Sequence, residues 1–225
     1  MIPWEHIDTA QIPGGGELRL MRRGDEYSIM SGAIELMNSR LSGSEIALAD
    51  LAIAKLGDTT GARILIGGLG MGFTLRAALA ALPKDAVVTV VELVSEVIEW
   101  ARGPLAHLFD GCLDDKRVVL KRADVGAMLH EAAAKMPYDA VLLDVDNGPG
   151  GLNREANDRL YSVGGVVAIR RAIRHDGVLA VWSAGPDPAF KGRMHRNGFA
   201  VEERMVRAHT SGKGARHIIW VGVAR

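Results

Sequence analysis

The sequence predicts an α/β fold in which a mostly parallel β-sheet is covered by helices on both faces. From residue 61 onward, short strand-like runs alternate with helix-like patterns. The runs are rich in Val, Ile and Leu without polar alternation, which is typical of strands covered on both faces. Only a short loop with Gly212, Lys213 and Gly214 separates the last two runs, so no crossover helix fits between them. The final strand is therefore predicted to run antiparallel to the rest.

The first 42 residues have a different pattern. Residues 17–23 and 26–37 are strand-like and meet at Gly24 and Asp25, a hairpin signal. A helix follows over residues 44–56, with Ser44 as its predicted N-cap. We therefore predict a short N-terminal β-hairpin segment, residues 1–42, and a Rossmann-like α/β domain, residues 43–225.

The elements of the larger domain follow from its alternating pattern. The predicted strands cover residues 63–66, 86–91, 117–121, 138–143, 177–182, 199–207 and 217–224. The predicted helices cover residues 73–82, 94–108, 125–135, 153–174 and 188–197. The helix over residues 153–174 is predicted to break at Gly164 and Gly165.

Composition narrows the classes of partner. Among the 225 residues, Lys and Arg number 27 and Asp and Glu number 27, so the formal net charge is zero. Because there is no overall basic field, neither nucleic acid nor a membrane surface is predicted as a partner. Cys112 is the single cysteine, which excludes an internal disulfide, and the histidine spacing predicts no metal site. With no apolar span and no signal-peptide pattern, we expect a cytoplasmic protein.

The most informative motif is a glycine-rich turn between the first strand and first helix of the α/β domain. Gly67, Gly68, Gly70 and Gly72 stand where a backbone could approach a ligand closely. A dinucleotide-binding turn would need another glycine at Phe73. The bulky residue favours a nucleoside ligand without a pyrophosphate, such as S-adenosylmethionine (SAM). The alternative is a tight turn that binds nothing.

Two acids follow the next strands of the predicted sheet. Glu92 lies about 20 residues beyond the glycine turn, a distance typical of a ribose-binding acid. Asp124 follows the strand after that and could accept a hydrogen bond from an adenine amino group. Ligands of open α/β sheets bind at these carboxyl ends of strands. For each acid the alternative role is a helix N-cap.

A third strand ends in two carboxylates, Asp144 and Asp146, followed by Asn147, Gly148 and Pro149. Such carboxylates can hold a cationic amine and accept its proton as it becomes a nucleophile. An alkylammonium group is almost fully protonated at neutral pH, so a base is needed to free its lone pair. The alternative is an Asx turn that closes the strand.

From about residue 36 onward, the chain resembles the spermidine synthase family of polyamine aminopropyltransferases. The resemblance is carried by residues 66–76, 91–98, 138–144 and 177–181. It implies a class I SAM-methyltransferase fold and a decarboxylated SAM donor. It also implies that Glu92 binds ribose, Asp124 faces adenine and Asp144 accepts the proton. Members of the family commonly form dimers, so a homodimer is implied as well.

The chain departs from the family pattern where the family binds polyamines. Its glycine turn contains no acid between Gly67 and Gly72, whereas the family's turn has an aspartate that holds the donor amine. Gly43 and Ser44 replace a Tyr-His pair before Glu45. Trp182 stands where the family often has glutamine. We take Asp146, Glu45 and Trp182 as candidate substrate residues, with core packing as the alternative role of Trp182.

Three functions follow from these observations. The first is transfer of an alkyl group from SAM or decarboxylated SAM to a small nucleophile, with aminopropyl transfer to a polyamine implied by the resemblance. The second is methyl transfer from SAM to a small molecule, which the missing loop acid favours. The third is a non-catalytic protein that has kept the nucleoside pocket.

Overall fold

A computed structural model describes residues 2–145, 148–149 and 159–225. These residues form a four-stranded antiparallel sheet at the N-terminus and a seven-stranded, mostly parallel sheet flanked by helices. This arrangement confirms the predicted fold class. In the described part of the chain, no helix combines the length and apolar character needed to cross a membrane.

The N-terminal sheet contains β1 (Glu5–Gln11), β2 (Glu17–Arg23), β3 (Glu26–Ser31) and β4 (Ile34–Asn38), in that order. The hairpin predicted at Gly24 is therefore only part of the sheet. The predicted strand over residues 26–37 is two strands, because the chain turns at Gly32, which has a φ of +57°. The sequence did not predict β1, whose residues are mostly exposed and polar. The domain division at residues 42 and 43 stays a prediction.

The larger sheet has the order β10-β11-β9-β8-β5-β6-β7. Its strands are β5 (Arg63–Gly67), β6 (Val87–Glu92), β7 (Val118–Arg122), β8 (Tyr138–Leu143), β9 (Ile173–Ser183), β10 (Phe199–Arg207) and β11 (Arg216–Ala224). Strands β5 to β9 pair in parallel, and β11 pairs antiparallel with both β9 and β10. The antiparallel final strand is confirmed.

Helices cover the sheet as predicted, with differences at several ends. The described helices are α1 (Gly43–Leu56), α2 (Phe73–Ala81), α3 (Ser95–Arg102), α4 (Ala106–Phe109), α5 (Val125–Lys135), α6 (Val163–Ala172) and α7 (Pro188–Arg196). Helix α3 ends at Arg102, so the predicted helix over residues 94–108 is two helices, with Gly103 and Pro104 between them.

One helix prediction was wrong, and another holds with a shift of two residues. Ser44 is not the N-cap of α1, because the helix begins at Gly43 and Ser42 precedes it. The helical pattern predicted over residues 153–174 does break close to Gly164 and Gly165: residues 159–161 are helical, Ser162 interrupts the helix, and α6 begins at Val163. The Ser162 side chain caps α6 by accepting a hydrogen bond from the Gly165 amide. A Cβ on Gly165 would overlap the Leu160 carbonyl oxygen, so glycine is needed where α6 begins close to the preceding helical segment.

The core lies on both faces of the large sheet. Successive residues of a strand alternate between two clusters: Ile64 and Ile66 lie in one, and Leu65 in the other. The first cluster also contains Leu20 and Ile29 of the N-terminal sheet. The small sheet therefore packs on the same core as the helices around it and lies over the carboxyl ends of the parallel strands, where the cavity described below opens.

Candidate active site

A cavity opens at the carboxyl ends of strands β5 to β9, between the large sheet and the N-terminal sheet. The polar part of its lining brings together four acids, two glycines and an indole: Glu45, Gly68, Gly70, Glu92, Asp124, Asp144 and Trp182. The apolar part includes Leu18, Ile29, Leu36 and Met37 from the N-terminal sheet and Val91, Leu93, Val94 and Val97 around the end of β6. The structure thus gathers into one space most residues that the sequence selected.

The glycine turn owes its shape to contacts within the protein. Gly68, Gly70 and Gly72 have φ values of +92°, +50° and +79°, a region that favours glycine. A Cβ on Gly68 would overlap the Asp144 carbonyl oxygen, and one on Gly70 would lie 2.6 Å from the Met37 methyl group. The turn is therefore pressed against β8 on one side and β4 on the other.

Gly67 and Gly72 were predicted to bind the cofactor, but neither lines the cavity in the described structure. A Cβ on Gly67 would lie 2.9 Å from the Val125 side chain, and one on Gly72 would lie 2.5 Å from the Phe109 ring. Both glycines are required by packing behind the turn. Their role in ligand binding stays a prediction, and it would consist of allowing the backbone conformation of the turn.

Glu92 connects the glycine turn to the start of the segment before α3. Its Oε2 accepts a hydrogen bond from the Leu69 amide at 3.0 Å, and its Oε1 accepts one from the Val94 amide at 2.9 Å. A carboxylate can accept several hydrogen bonds, so these amide contacts do not prevent one from a ribose hydroxyl. Glu92 also lines the cavity. The geometry is thus compatible with the predicted ribose contact, and the carboxylate shapes the turn as well.

Asp124 has the alternative role that the sequence left open. Its Oδ1 accepts a 2.8 Å hydrogen bond from the Ala127 amide, which makes it the N-cap of α5. Because Asp124 also lines the cavity, capping does not prevent a contact with a ligand. The predicted adenine contact stays a prediction.

Asp144 follows β8 and is held by the side chain of Thr74 in the first turn of α2. The Thr74 hydroxyl donates a 2.7 Å hydrogen bond to Asp144 Oδ2. Burial raises the pKa of Asp144 to about 6, and the Thr74 hydrogen bond opposes that rise. A carboxylate with such a pKa is ionised at neutral pH and can still accept a proton, as a general base must. Thr74 could not be selected from the sequence, because nothing in its spacing shows that it faces the end of β8.

Glu45, in the first turn of α1, is the second acid at this end of the cavity. Burial and the nearby charge of Asp144 raise the pKa of Glu45 to about 7. Its Oε2 accepts a 2.8 Å hydrogen bond from the Ser44 hydroxyl, and Ser44 Oγ lies 2.9 Å from His217 Nδ1. Burial lowers the pKa of His217, so the imidazole is neutral at pH 7 and supplies no positive charge.

Trp182 lies beside the cavity, whereas Met71 of the glycine turn is buried in the core. Trp182 lines the cavity and packs edge to face against the His217 ring, with centroids 4.7 Å apart. Among the described residues, its indole Nε1 finds no hydrogen-bond partner. Met71 is fully buried and packs in the core. Asp146 lies outside the described residues.

The charges around the cavity have one sign. The ionisable side chains that line it in the described structure are Glu45, Glu92, Asp124 and Asp144, and all four are acids. Two of them, Glu45 and Asp144, have raised pKa values because burial disfavours their charged forms. The cavity is therefore suited to a ligand that brings positive charge.

The strand order, with its antiparallel final strand, is that of a class I SAM-methyltransferase-like α/β fold. The spermidine synthase-like resemblance is confirmed by known proteins. Polyamine aminopropyltransferase 1 of Streptomyces coelicolor is 35% identical to this chain over 127 residues, which are 55% of this chain. The match covers only 22% of that protein's own length. No protein-family model matches the chain.

Two solved structures show the same fold. A spermidine synthase in complex with the transition state analogue AdoDATO superposes with a TM-score of 0.75 at 19% identity, covering 97% of this chain and 73% of its own. Spermidine synthase from Thermotoga maritima superposes with a TM-score of 0.74 at 18% identity, covering 97% of this chain and 72% of its own. At these identities the likeness describes the fold.

Proposed function

We propose that the protein is a transferase that moves the aminopropyl group of decarboxylated SAM to a primary amine of a small polyamine-type acceptor. One observation carries the choice of donor: the ionisable side chains that line the described cavity are all acids. SAM carries a carboxylate that would meet this negative field without a cationic partner. Decarboxylated SAM lacks that carboxylate and keeps its amine and sulfonium charges, which the field attracts.

The reaction needs a base and alignment. In our proposal, Asp144 accepts a proton from the acceptor ammonium, which leaves a neutral amine with a free lone pair. The amine attacks the methylene carbon next to the donor sulfur, so a C–N bond forms and the C–S bond breaks. The bonding pair stays on sulfur, which becomes the neutral thioether of methylthioadenosine. Because the sulfonium already carries its leaving group, the protein mainly has to align the two partners.

The similarity to an aminopropyltransferase of Streptomyces coelicolor and the fold of two spermidine synthases support this proposal. Glu92 and the backbone at Gly68 and Gly70 would bind the nucleoside, and Asp124 would face the adenine. A polyamine acceptor agrees with the acidic end of the cavity formed by Glu45 and Asp144. Homodimer formation and a cytoplasmic location stay predictions.

Methyl transfer from SAM is the second candidate, and one observation favours it. The glycine turn contains no acid, and its Leu69 and Met71 side chains are both buried in the core. The turn itself therefore offers nothing to an aminopropyl amine. Methyl transfer and aminopropyl transfer leave different products, so one assay separates them.

The assay incubates the protein with short α,ω-diamines and either donor and identifies the nucleoside product by chromatography. We expect methylthioadenosine from decarboxylated SAM and no S-adenosylhomocysteine from SAM. Asp144→Asn should lose the activity, whereas Asp50→Asn, which changes an exposed acid on α1, should keep it. Amine-dependent release of S-adenosylhomocysteine would instead establish the second candidate. Binding of both donors without turnover would establish the non-catalytic alternative.

A further inference from the structure

Glu45 is a partly buried carboxylate that lines the cavity and has no positive partner among the described residues. Its neighbours are the Ser44 hydroxyl, the acid Asp144 and, beyond Ser44, the neutral ring of His217. Removing a carboxylate from water is unfavourable unless a cation or several hydrogen bonds replace the water. A bound ammonium group would supply what the protein does not.

Glu45 and Asp144 lie at one end of the cavity. Helix α1, which carries Glu45, packs on β8 and β9, and Asp144 follows β8. Glu92 and Asp124 follow β6 and β7, on the other side of β5 and its glycine turn. The glycine turn therefore separates Glu45 and Asp144 from Glu92 and Asp124, the two acids proposed to bind the nucleoside.

Two acids, Glu45 and Asp144, lie at this end of the cavity, and each can be assigned to one amine of the proposed reaction. In the proposed reaction, two amines meet there: the amine of the donor's aminopropyl chain and the acceptor amine. Asp144 must accept a proton from the acceptor, which the Thr74 hydrogen bond favours by holding its carboxylate in place. Glu45 then remains for the donor.

We propose that Glu45 binds the primary ammonium group at the end of the donor's aminopropyl chain. This assignment rests on the proposed function. The glycine turn cannot do the same, because its two non-glycine side chains, Leu69 and Met71, are buried. The space beside Gly70 is filled by the Met37 methyl group. The acid comes instead from α1, and Ser44 positions it.

The test compares two ligands by titration calorimetry. Decarboxylated SAM is a sulfonium that carries the aminopropyl chain, and methylthioadenosine is the neutral thioether that remains when this chain is removed. For Glu45→Gln, we expect the affinity for decarboxylated SAM to fall at least about tenfold, within the range for a lost charge-assisted hydrogen bond. The affinity for methylthioadenosine should change less than about twofold. Asp50→Asn, the matched change of an exposed acid on the same helix, should alter neither affinity.

Other results would contradict either the assignment of Glu45 or the proposed function, and the two cases can be told apart. If Glu45→Gln leaves the affinity for decarboxylated SAM unchanged, or lowers the affinity for both ligands equally, the assignment of Glu45 is wrong while the proposed function stands. If the native protein binds methylthioadenosine but not decarboxylated SAM, the proposed function fails and the assignment fails with it. Glu45→Asp guards against a folding defect: it keeps the charge and should recover part of the lost affinity, and no recovery in a folded variant contradicts the assignment.

Discussion

The hydroxyl of Thr74 donates a 2.7 Å hydrogen bond to Asp144 Oδ2, although 70 residues separate the two in the chain. Thr74 lies in the first turn of α2, directly after the glycine turn, and Asp144 follows β8. The backbone connects the same two segments, because the Asp144 amide donates to the Gly67 carbonyl at 2.9 Å. The segment that forms the proposed nucleoside-binding turn therefore also holds the proposed base.

Thr74→Val should make Asp144 harder to ionise. The Thr74 hydrogen bond lowers the pKa of Asp144 against the effect of burial, so its loss should raise that pKa further above about 6. Hydrogen bonds to charged groups contribute roughly 1.5–3 kcal/mol. The acidic limb of the profile of kcat/KM against pH should therefore move up by about one pH unit. Thr74→Ser keeps the hydroxyl and should keep the profile, so an unshifted limb in Thr74→Val would show that Asp144 is not the titrating base.

Asp144→Asn should stabilise the protein at high pH. Burial raises the pKa of Asp144 from 3.8 to about 6 and that of Glu45 from 4.5 to about 7. Between the unfolded and folded pKa values of each acid, the folded state binds more protons than the unfolded state. Native stability should therefore fall as pH rises from about 4 to 7.

Asparagine removes one of these charges without changing the side-chain shape. The variant should be about 1–2 kcal/mol more stable than the native protein at pH 8 and no more stable at pH 4, measured by urea unfolding. Equal gains at both pH values would mean that the charge of Asp144 is not the cause.

Glu92→Gln should weaken nucleoside binding. The Glu92 carboxylate accepts from the Leu69 and Val94 amides and lines the cavity, whereas the glutamine amide has a single acceptor oxygen. We expect the affinity for methylthioadenosine to fall about tenfold in titration calorimetry, with a smaller loss for Asp124→Asn, because Asp124 is exposed. An unchanged affinity in Glu92→Gln would remove Glu92 from the ribose role.

Gly68→Ala should destabilise the fold more than an ordinary change of a left-handed glycine. Its φ is +92°, and the added methyl group would overlap the carbonyl oxygen of Asp144. Gly61→Ala is the matched control, since Gly61 has a φ of +60° and an added Cβ would meet no atom within 4 Å. We expect the control to lose about 1–2 kcal/mol of unfolding free energy and Gly68→Ala to lose at least about 3 kcal/mol. Equal losses would show that the turn can move away from β8.

The positions of Glu92, Asp124 and Asp144 could be predicted because each follows a strand of one parallel sheet. The carboxyl ends of such strands meet at one edge, so their order along the chain is enough to gather them. The seven strands of the large sheet were predictable from local sequence, because strand-like runs bounded by turn residues can be recognised without knowing their partners in the sheet.

Contacts between distant elements could not be predicted in this way. Ser44 has the residue type of an N-cap, but its hydroxyl is used by Glu45 and His217, which depends on how α1 packs on β11. Thr74 looks like any residue of a first helical turn until β8 is placed beside it.

The most direct test of the account is the relative affinity of the native protein for decarboxylated SAM and SAM, measured by titration calorimetry at pH 8. At this pH both Glu45 and Asp144 are ionised, since their pKa values are about 7 and about 6. The acidic cavity predicts that decarboxylated SAM binds at least about tenfold more tightly, a difference of about 1.4 kcal/mol. SAM binding as tightly as decarboxylated SAM, or more tightly, would contradict the account.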